Sequence, residues 1–215
     1  MPALIDSNAP LNTPSDDPAA QRARLRRARA ALPRAYRDEA SRLALQRLIR
    51  TPWFPAARHI GLYLPFGAEA DPLHLCDLTR GVGKVFHVPI LSSGISGQLM
   101  FAPLARAGCW RTNRFGIAEP RLPAGLLRRP IRLDLVVTPL AGFDPACNRL
   151  GMGGGFYDRS FAFRNGRGRW RRPRQVGLAF EAQKLDRLPA ADWDVPLDAV
   201  VTERATYFHD RPTGY

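Results

Sequence analysis

The stretch Arg149–Arg159 reads Arg-Leu-Gly-Met-Gly-Gly-Gly-Phe-Tyr-Asp-Arg, with four glycines among its first seven residues. Such a run cannot hold a helix or a packed strand, because glycine buries no side chain and loses the most backbone entropy on folding. It suits a backbone that turns sharply and presents N–H groups, which ahead of a helix start form an anion cradle. The flanks define the setting. Leu133–Thr138, apolar or β-branched except at Asp134, runs into Pro139, which predicts a strand; Phe156–Phe163 predicts the start of a helix. Arg149 precedes the glycines, and Asp158 and Arg159 follow them. No Gly-Lys-Ser or Gly-Lys-Thr occurs anywhere, so the Walker pattern is excluded. The Gly-x-Gly-x-x-Gly fingerprint with a downstream acidic ribose partner is not met either. On chemistry alone two readings stay open: a phosphate-binding loop, or a structural glycine turn.

The rest of the chain alternates helix and strand signals. Asp17 at a cap and Pro18 at the first helical position predict a helix to about Leu32. A second helix is predicted over Arg34–Arg50 and a short one over Asp71–Arg80. Strands are predicted at His59–Leu64, Lys84–Val88, Gln98–Ala102, Leu133–Thr138, Val176–Phe180 and Ala199–Thr202. Leu104–Arg132, punctuated by Pro, Arg and Gly, is expected to form surface loops around a site. This alternation predicts an α/β fold with parallel pairing: one open, mostly parallel sheet flanked by helices, a Rossmann-like three-layer architecture. Residues 1–17, rich in Pro, Ser, Asn and Asp, are expected to be a flexible tail, and residues 18–215 one domain.

Charge and cysteine usage bound the function classes. The net charge is +13, which fits a nucleic-acid binder, an enzyme acting on anionic substrates, or solvated arginine-rich faces. No nucleic-acid motif accompanies it, so that function is not favoured. Arg164–Arg174 holds six arginines and reads as a solvated loop. Apolar runs stay far below the length of a membrane span. No secretory signal is visible. Cys76, Cys109 and Cys147 are odd in number and widely spaced, fitting neither a disulfide framework nor a zinc site. A reducing cytoplasm is expected.

The glycine run, with Pro139-Leu-Ala-Gly-Phe-Asp144 ahead of it, closely resembles the signature of the 5-formyltetrahydrofolate cyclo-ligase family, also called 5,10-methenyltetrahydrofolate synthetases. Tyr63–Glu69, Phe115–Pro120 and Leu188–Thr202 extend the resemblance over roughly Arg22 to Glu203. It implies ATP- and Mg²⁺-dependent conversion of 5-formyltetrahydrofolate to 5,10-methenyltetrahydrofolate, ADP and phosphate, a reaction of one-carbon folate metabolism. It implies ATP contacts at Arg22, Arg149, Leu150, Gly151, Met152, Gly153, Gly154, Gly155, Phe156 and Tyr157. Folate contacts are implied at Leu64, Glu69, Phe115, Met152, Gly153, Gly154, Gly155 and Phe156. Asp158 and Asp194 are the implied Mg²⁺ ligands, with Asp192 and Asp198 as sequence neighbours of the second. A metal-free role for Asp158 is a favourable charge in the first turn of its helix.

Arg149 and Asp158 are expected to stabilise charge, and no protein nucleophile is assigned. Glu69 suits a pterin because one carboxylate accepts from a ring N–H and an adjacent amino group. Glu119 reads equally as a loop carboxylate or a site residue. The family pattern also expects a basic residue four positions before Arg22, where this chain has Pro18, and some members carry Lys at the position of Gly154. A monomer is expected, and the folate partner could carry a polyglutamate tail met by Arg164–Arg174.

Overall fold

The computed structural model describes residues 17–91, 97–165, 172–189 and 195–210. Its helices are α1 (Pro18–Ala31), α2 (Arg34–Ile49), α3 (His74–Leu78) and α4 (Phe156–Phe161). Its strands are β1 (His59–Gly61), β2 (Val85–Leu91), β3 (Leu99–Pro103), β4 (Trp110–Thr112), β5 (Ala118–Pro120), β6 (Leu135–Thr138), β7 (Gly142–Phe143), β8 (Arg149–Leu150), β9 (Arg174–Leu178), β10 (Ala199–Val201) and β11 (Thr206–Phe208).

Seven strands form one sheet in the order β11-β10-β9-β6-β1-β2-β3. The five inner strands run parallel. Their short apolar runs explain why: a parallel strand is covered on both faces, so every position seeks an apolar neighbour. All four residues of β6 are buried. Leu135 and Val137 face α2 and pack with Ala44, Leu45 and Leu48. Val136 faces the other way and packs with Phe161 of α4. Helix, sheet and helix thus make the three-layer α/β architecture expected.

Parallel pairing stops at both edges. β3 lies antiparallel to β2, and β11 antiparallel to β10. The connectors, residues 92–98 and 202–205, are too short for a parallel crossover, which takes about a dozen residues or more. Strand β11 is absent from the elements predicted from sequence. Inside the stretch expected to be only loops, β4 and β5 form a two-stranded hairpin. All of β4 is exposed, so no apolar alternation marks it in sequence.

Asp17 and Pro18 do begin α1, although the Asp17 side chain makes no cap hydrogen bond. This arginine-rich helix buries only Leu25 and Arg29. Leu25 sits with Leu185 and Leu188, against partly buried Leu150. A Cβ at Gly142 would lie 2.6 Å from Leu25 Cδ1, so glycine is what lets α1 come this close to β7.

β1 leads outward to β2 on one side, while β6 lies on its other side. That reversal is the switch point where open α/β sheets leave a crevice beyond the strand ends.

Candidate active site

A cleft of about 640 Å³ opens there. It is lined by Tyr63 and Leu64 after β1, Pro89–Leu91 at the end of β2, Pro139 after β6, the glycine loop, the β4–β5 hairpin and α1. Of the residues implicated from sequence, Leu64, Glu69, Phe115, Arg149, Gly151, Met152, Gly154, Gly155, Phe156, Tyr157 and Asp158 all line it. Arg22, Leu150 and Gly153 are not among its lining residues.

The glycine loop is held from three directions. Asp144, 1% exposed, accepts from Asn148 N (3.0 Å), Asn148 Nδ2 (2.9 Å) and Leu188 N (2.9 Å) and so fixes the turn into β8. Gln183 Nε2 donates to the carbonyls of Leu140 and Ala141, both at 3.0 Å. From α1, Arg22 Nε donates to Gly151 O at 2.9 Å and Arg26 Nη2 to Met152 O at 3.0 Å. The loop ends at Gly155, the left-handed cap of α4 with φ 62°, a conformation most side chains resist. At Gly154, a Cβ would stand 2.7 Å from Phe156 Cε2, so any larger residue requires that ring to move.

Arg149 and Asp158 face each other as an ion pair, and Arg149 Nη1 also donates to Val195 O at 2.6 Å. The Arg149 side chain is 5% exposed and that of Asp158 28%. Asp158 therefore does more than complement a helix end. No group of three or more His, Cys, Asp or Glu able to hold a metal lies among the described residues. Mg²⁺ commonly takes one or two carboxylates and completes its shell with phosphate oxygens and water. Asp158 suits such a site: it lines the cleft, and its Oδ2 has no partner among the described residues.

Asp192 and Asp194 lie outside the described residues. Asp198 is described, and the structure removes it as a metal candidate. It is 4% exposed and is satisfied by Arg164 Nη2 (2.6 Å), Arg174 Nη1 (2.9 Å) and Gln175 N (2.8 Å).

The same bonds revise the reading of Arg164–Arg174 as a solvated loop. Arg164 is 8% exposed, Arg174 also lies over the Trp53 ring at 4.9 Å, and Arg172 pairs with Asp134. Arg167, Arg169 and Arg171 lie outside the described residues.

Across the cleft, Glu69 is held by the Phe66 amide, 3.0 Å from Oε2. Its Oε1 accepts no hydrogen bond among the described residues, and Arg29 Nη1 stands 3.8 Å away. Burial pushes the Glu69 carboxyl up, against the Phe66 amide and the Arg29 charge. Phe115 is carried on the hairpin turn, where Asn113 Oδ1 accepts from the amides of Phe115 (2.9 Å) and Ile117 (3.1 Å). The Phe115 ring is 47% exposed and meets Phe156 edge-on at 5.4 Å. Glu119 resolves as a brace: it accepts from Leu91 N (2.8 Å) and Asn113 Nδ2 (3.0 Å), tying hairpin to β2.

None of the three cysteines lines the cleft. Burial pushes the Cys147 thiol up to about 12.

The residues missed in sequence are Arg26, Arg29 and Tyr63. Arg26 and Arg29 follow Arg22 at i+4 and i+7, one face of a helix. That spacing was legible, but the arginines of α1 point in every direction and only docking selects a face. Tyr63 is buried and donates its hydroxyl to Ala70 O. The Tyr157 hydroxyl is buried at the cleft with no hydrogen-bond partner among the described residues.

The family model for the 5-formyltetrahydrofolate cyclo-ligase family matches residues 14–203. The chain belongs to this family. It is 34% identical over 180 residues to the 5-formyltetrahydrofolate cyclo-ligase of Escherichia coli K12, covering 83% of this chain and 96% of that protein. It is also 34% identical over 178 residues to the Haemophilus influenzae enzyme of that name, covering 82% and 92%. The fold is shared with the 5,10-methenyltetrahydrofolate synthetase of Aquifex aeolicus, with a TM-score of 0.74 at 24% identity over 92% of this chain and 95% of that one. In this cyclo-ligase family member, no helix among the described residues is long and apolar enough to cross a membrane.

Proposed function

We propose that this chain is an ATP- and Mg²⁺-dependent 5-formyltetrahydrofolate cyclo-ligase, with the glycine loop as its phosphate site and Glu69 as its pterin contact. The observation that carries the reading is the convergence on one cleft of two complementary halves. One is a glycine loop flanked by Arg22, Arg26 and Arg149; the other is Glu69, whose Oε1 accepts no hydrogen bond among the described residues, in a cleft also lined by the exposed ring of Phe115.

A formamide is a poor electrophile because its nitrogen donates into the carbonyl. Transfer of the γ-phosphoryl group to the formyl oxygen, with ADP leaving, turns that oxygen into a leaving group. N10 of the same folate then attacks the formyl carbon, its proton is lost, phosphate departs from that carbon, and the methenyl bridge closes as an amidinium cation. No protein nucleophile is needed; the work is positioning and charge stabilisation. Arg149, beside the loop, offers a guanidinium suited to phosphate oxygens. Arg22 and Arg26 fix the loop through two of its carbonyls. They also supply a pair of basic residues four apart, one turn beyond the pairing that left Pro18 as a gap. Asp158, with Asp194, would hold Mg²⁺, which when bound neutralises phosphate charge. Glu69 accepts from the pterin N–H and amino group, and Phe115 packs on the ring.

The three cysteines, free in this structure, fit a reducing cytoplasm. The test is a coupled assay: methenyl absorbance should appear only with ATP, Mg²⁺ and 5-formyltetrahydrofolate together. Folded protein giving no product with all three would refute the reading.

A further inference from the structure

One member of a charge pair in the cleft wall has no role in the chemistry proposed above. Arg29 on α1 and Glu69 both have side chains only 7% exposed, and both line the cleft. Nη1 and Oε1 stand 3.8 Å apart, within ion-pair range but too far for a hydrogen bond. Glu69 Oε1 thus keeps its acceptor capacity for a ligand while sitting in the field of a cation. Arg29 Nε is buried with no hydrogen-bond partner among the described residues. A guanidinium this deeply buried is costly unless a counter-charge lies beside it, and Glu69 is that counter-charge.

The other groups that face Glu69 differ in kind. Arg26 acts on it weakly from the same helix, the Phe66 amide holds Oε2, and Tyr63 and Tyr157 face it as neutral phenols. Burial alone would favour the protonated acid, and a protonated carboxyl turns one acceptor into a donor.

We propose that Arg29 is a positioning residue for the folate ring: it keeps Glu69 ionised, so that both carboxylate oxygens can accept from the adjacent ring N–H and amino group. This rests on the reading of Glu69 as the pterin contact. α1 then serves both halves of the site, with Arg22 and Arg26 on the glycine loop and Arg29, further along the same face, setting the charge state of the folate half.

The test measures 5-formyltetrahydrofolate affinity from pH 5.5 to 8.5 without nucleotide. In the wild type, affinity falls as pH drops through the Glu69 pKa, because only the ionised form accepts twice. An opposite charge at this range shifts a carboxyl by about one to three pH units. Arg29→Met should therefore move the midpoint of the affinity profile up by at least about one pH unit. Arg29→Lys, which keeps the charge, should hold the midpoint near that of the wild type. Affinity for MgATP should not acquire this pH dependence. Arg29→Gln makes the same comparison if the methionine variant does not fold. A uniform loss across all pH values, or an unmoved midpoint, would show that Arg29 only packs, and would overturn the proposal. Glu69→Gln separates the two readings. If it weakens folate and flattens the profile while the Arg29 variants do not shift the wild-type midpoint, Arg29 alone is misassigned. If it leaves affinity and profile as in the wild type, the pterin contact itself is wrong, and the role of Arg29 falls with it.

Discussion

Replacing Leu25 with alanine should loosen one helix while leaving the sheet intact. Among the described residues α1 buries two side chains, Leu25 and Arg29, and only Leu25 is apolar. Burying a leucine stabilises by about 1.5–3 kcal/mol. Large-to-small changes in rigid cores cost about 2–5 kcal/mol. Here one wall of the contact is a helix that can settle into the gap against Leu185 and Leu188, so the lower end applies. A loss of about 2 kcal/mol lowers the docking equilibrium of α1 roughly 30-fold.

Undocking withdraws Arg22 from Gly151 O and Arg26 from Met152 O, so the glycine loop loses its outer support. Hydrogen exchange should show amides of α1 opening roughly 30-fold more often, while β6 and β9 keep their protection. MgATP affinity measured calorimetrically should fall. Uniformly faster exchange over the whole sheet, with MgATP affinity unchanged, would refute the idea that one leucine docks the helix serving the loop.

Asp158→Asn should raise the Mg²⁺ concentration needed for half-maximal turnover, and should also lower stability. Removing a partner from a buried pair costs about 3–5 kcal/mol, and the partial exposure of Asp158 reduces this to roughly 1–3 kcal/mol. That exceeds the about 0.3–1 kcal/mol of a first-turn charge, and thermal melts with and without Mg²⁺ distinguish the two. A third prediction concerns pH. His87 is 3% exposed, its Nε2 meets His59 Nδ1 at 3.1 Å, and burial, with Arg128 beside it, pushes its pKa down to about 4. The unfolded chain therefore binds the proton more readily, and stability should fall as pH drops from about 6.5 towards 4. His87→Asn should flatten that limb in urea titrations; an unchanged slope would assign the acid sensitivity elsewhere.

Much of this protein was legible because its signals are local. Glycines in the run Gly151–Gly155 exclude regular structure wherever they occur, and the buried inner strands announce themselves as short apolar runs. Asp17 and Pro18 mark where α1 begins without reference to any neighbour. The family signature placed Glu69, Phe115, Arg149 and Asp158, and the fold brings all four to one cleft. What depends on a distant partner was not legible. Asp198 sits four residues from Asp194 in sequence, yet it is enclosed by Arg164 and Arg174, because a buried carboxylate must find its cations wherever the sheet delivers them. Glu119 reads equally as a loop carboxylate or a site residue until β5 carries it to the Leu91 amide. The arginines of α1 are indistinguishable by composition. Leu25 seated beside Gly142 sets the helix rotation, and that rotation puts Arg22, Arg26 and Arg29 on the site. Sequence determined which chemistry the chain carries. Tertiary packing decided which charges remain open to a ligand, because a charge is available only where no other buried group already satisfies it.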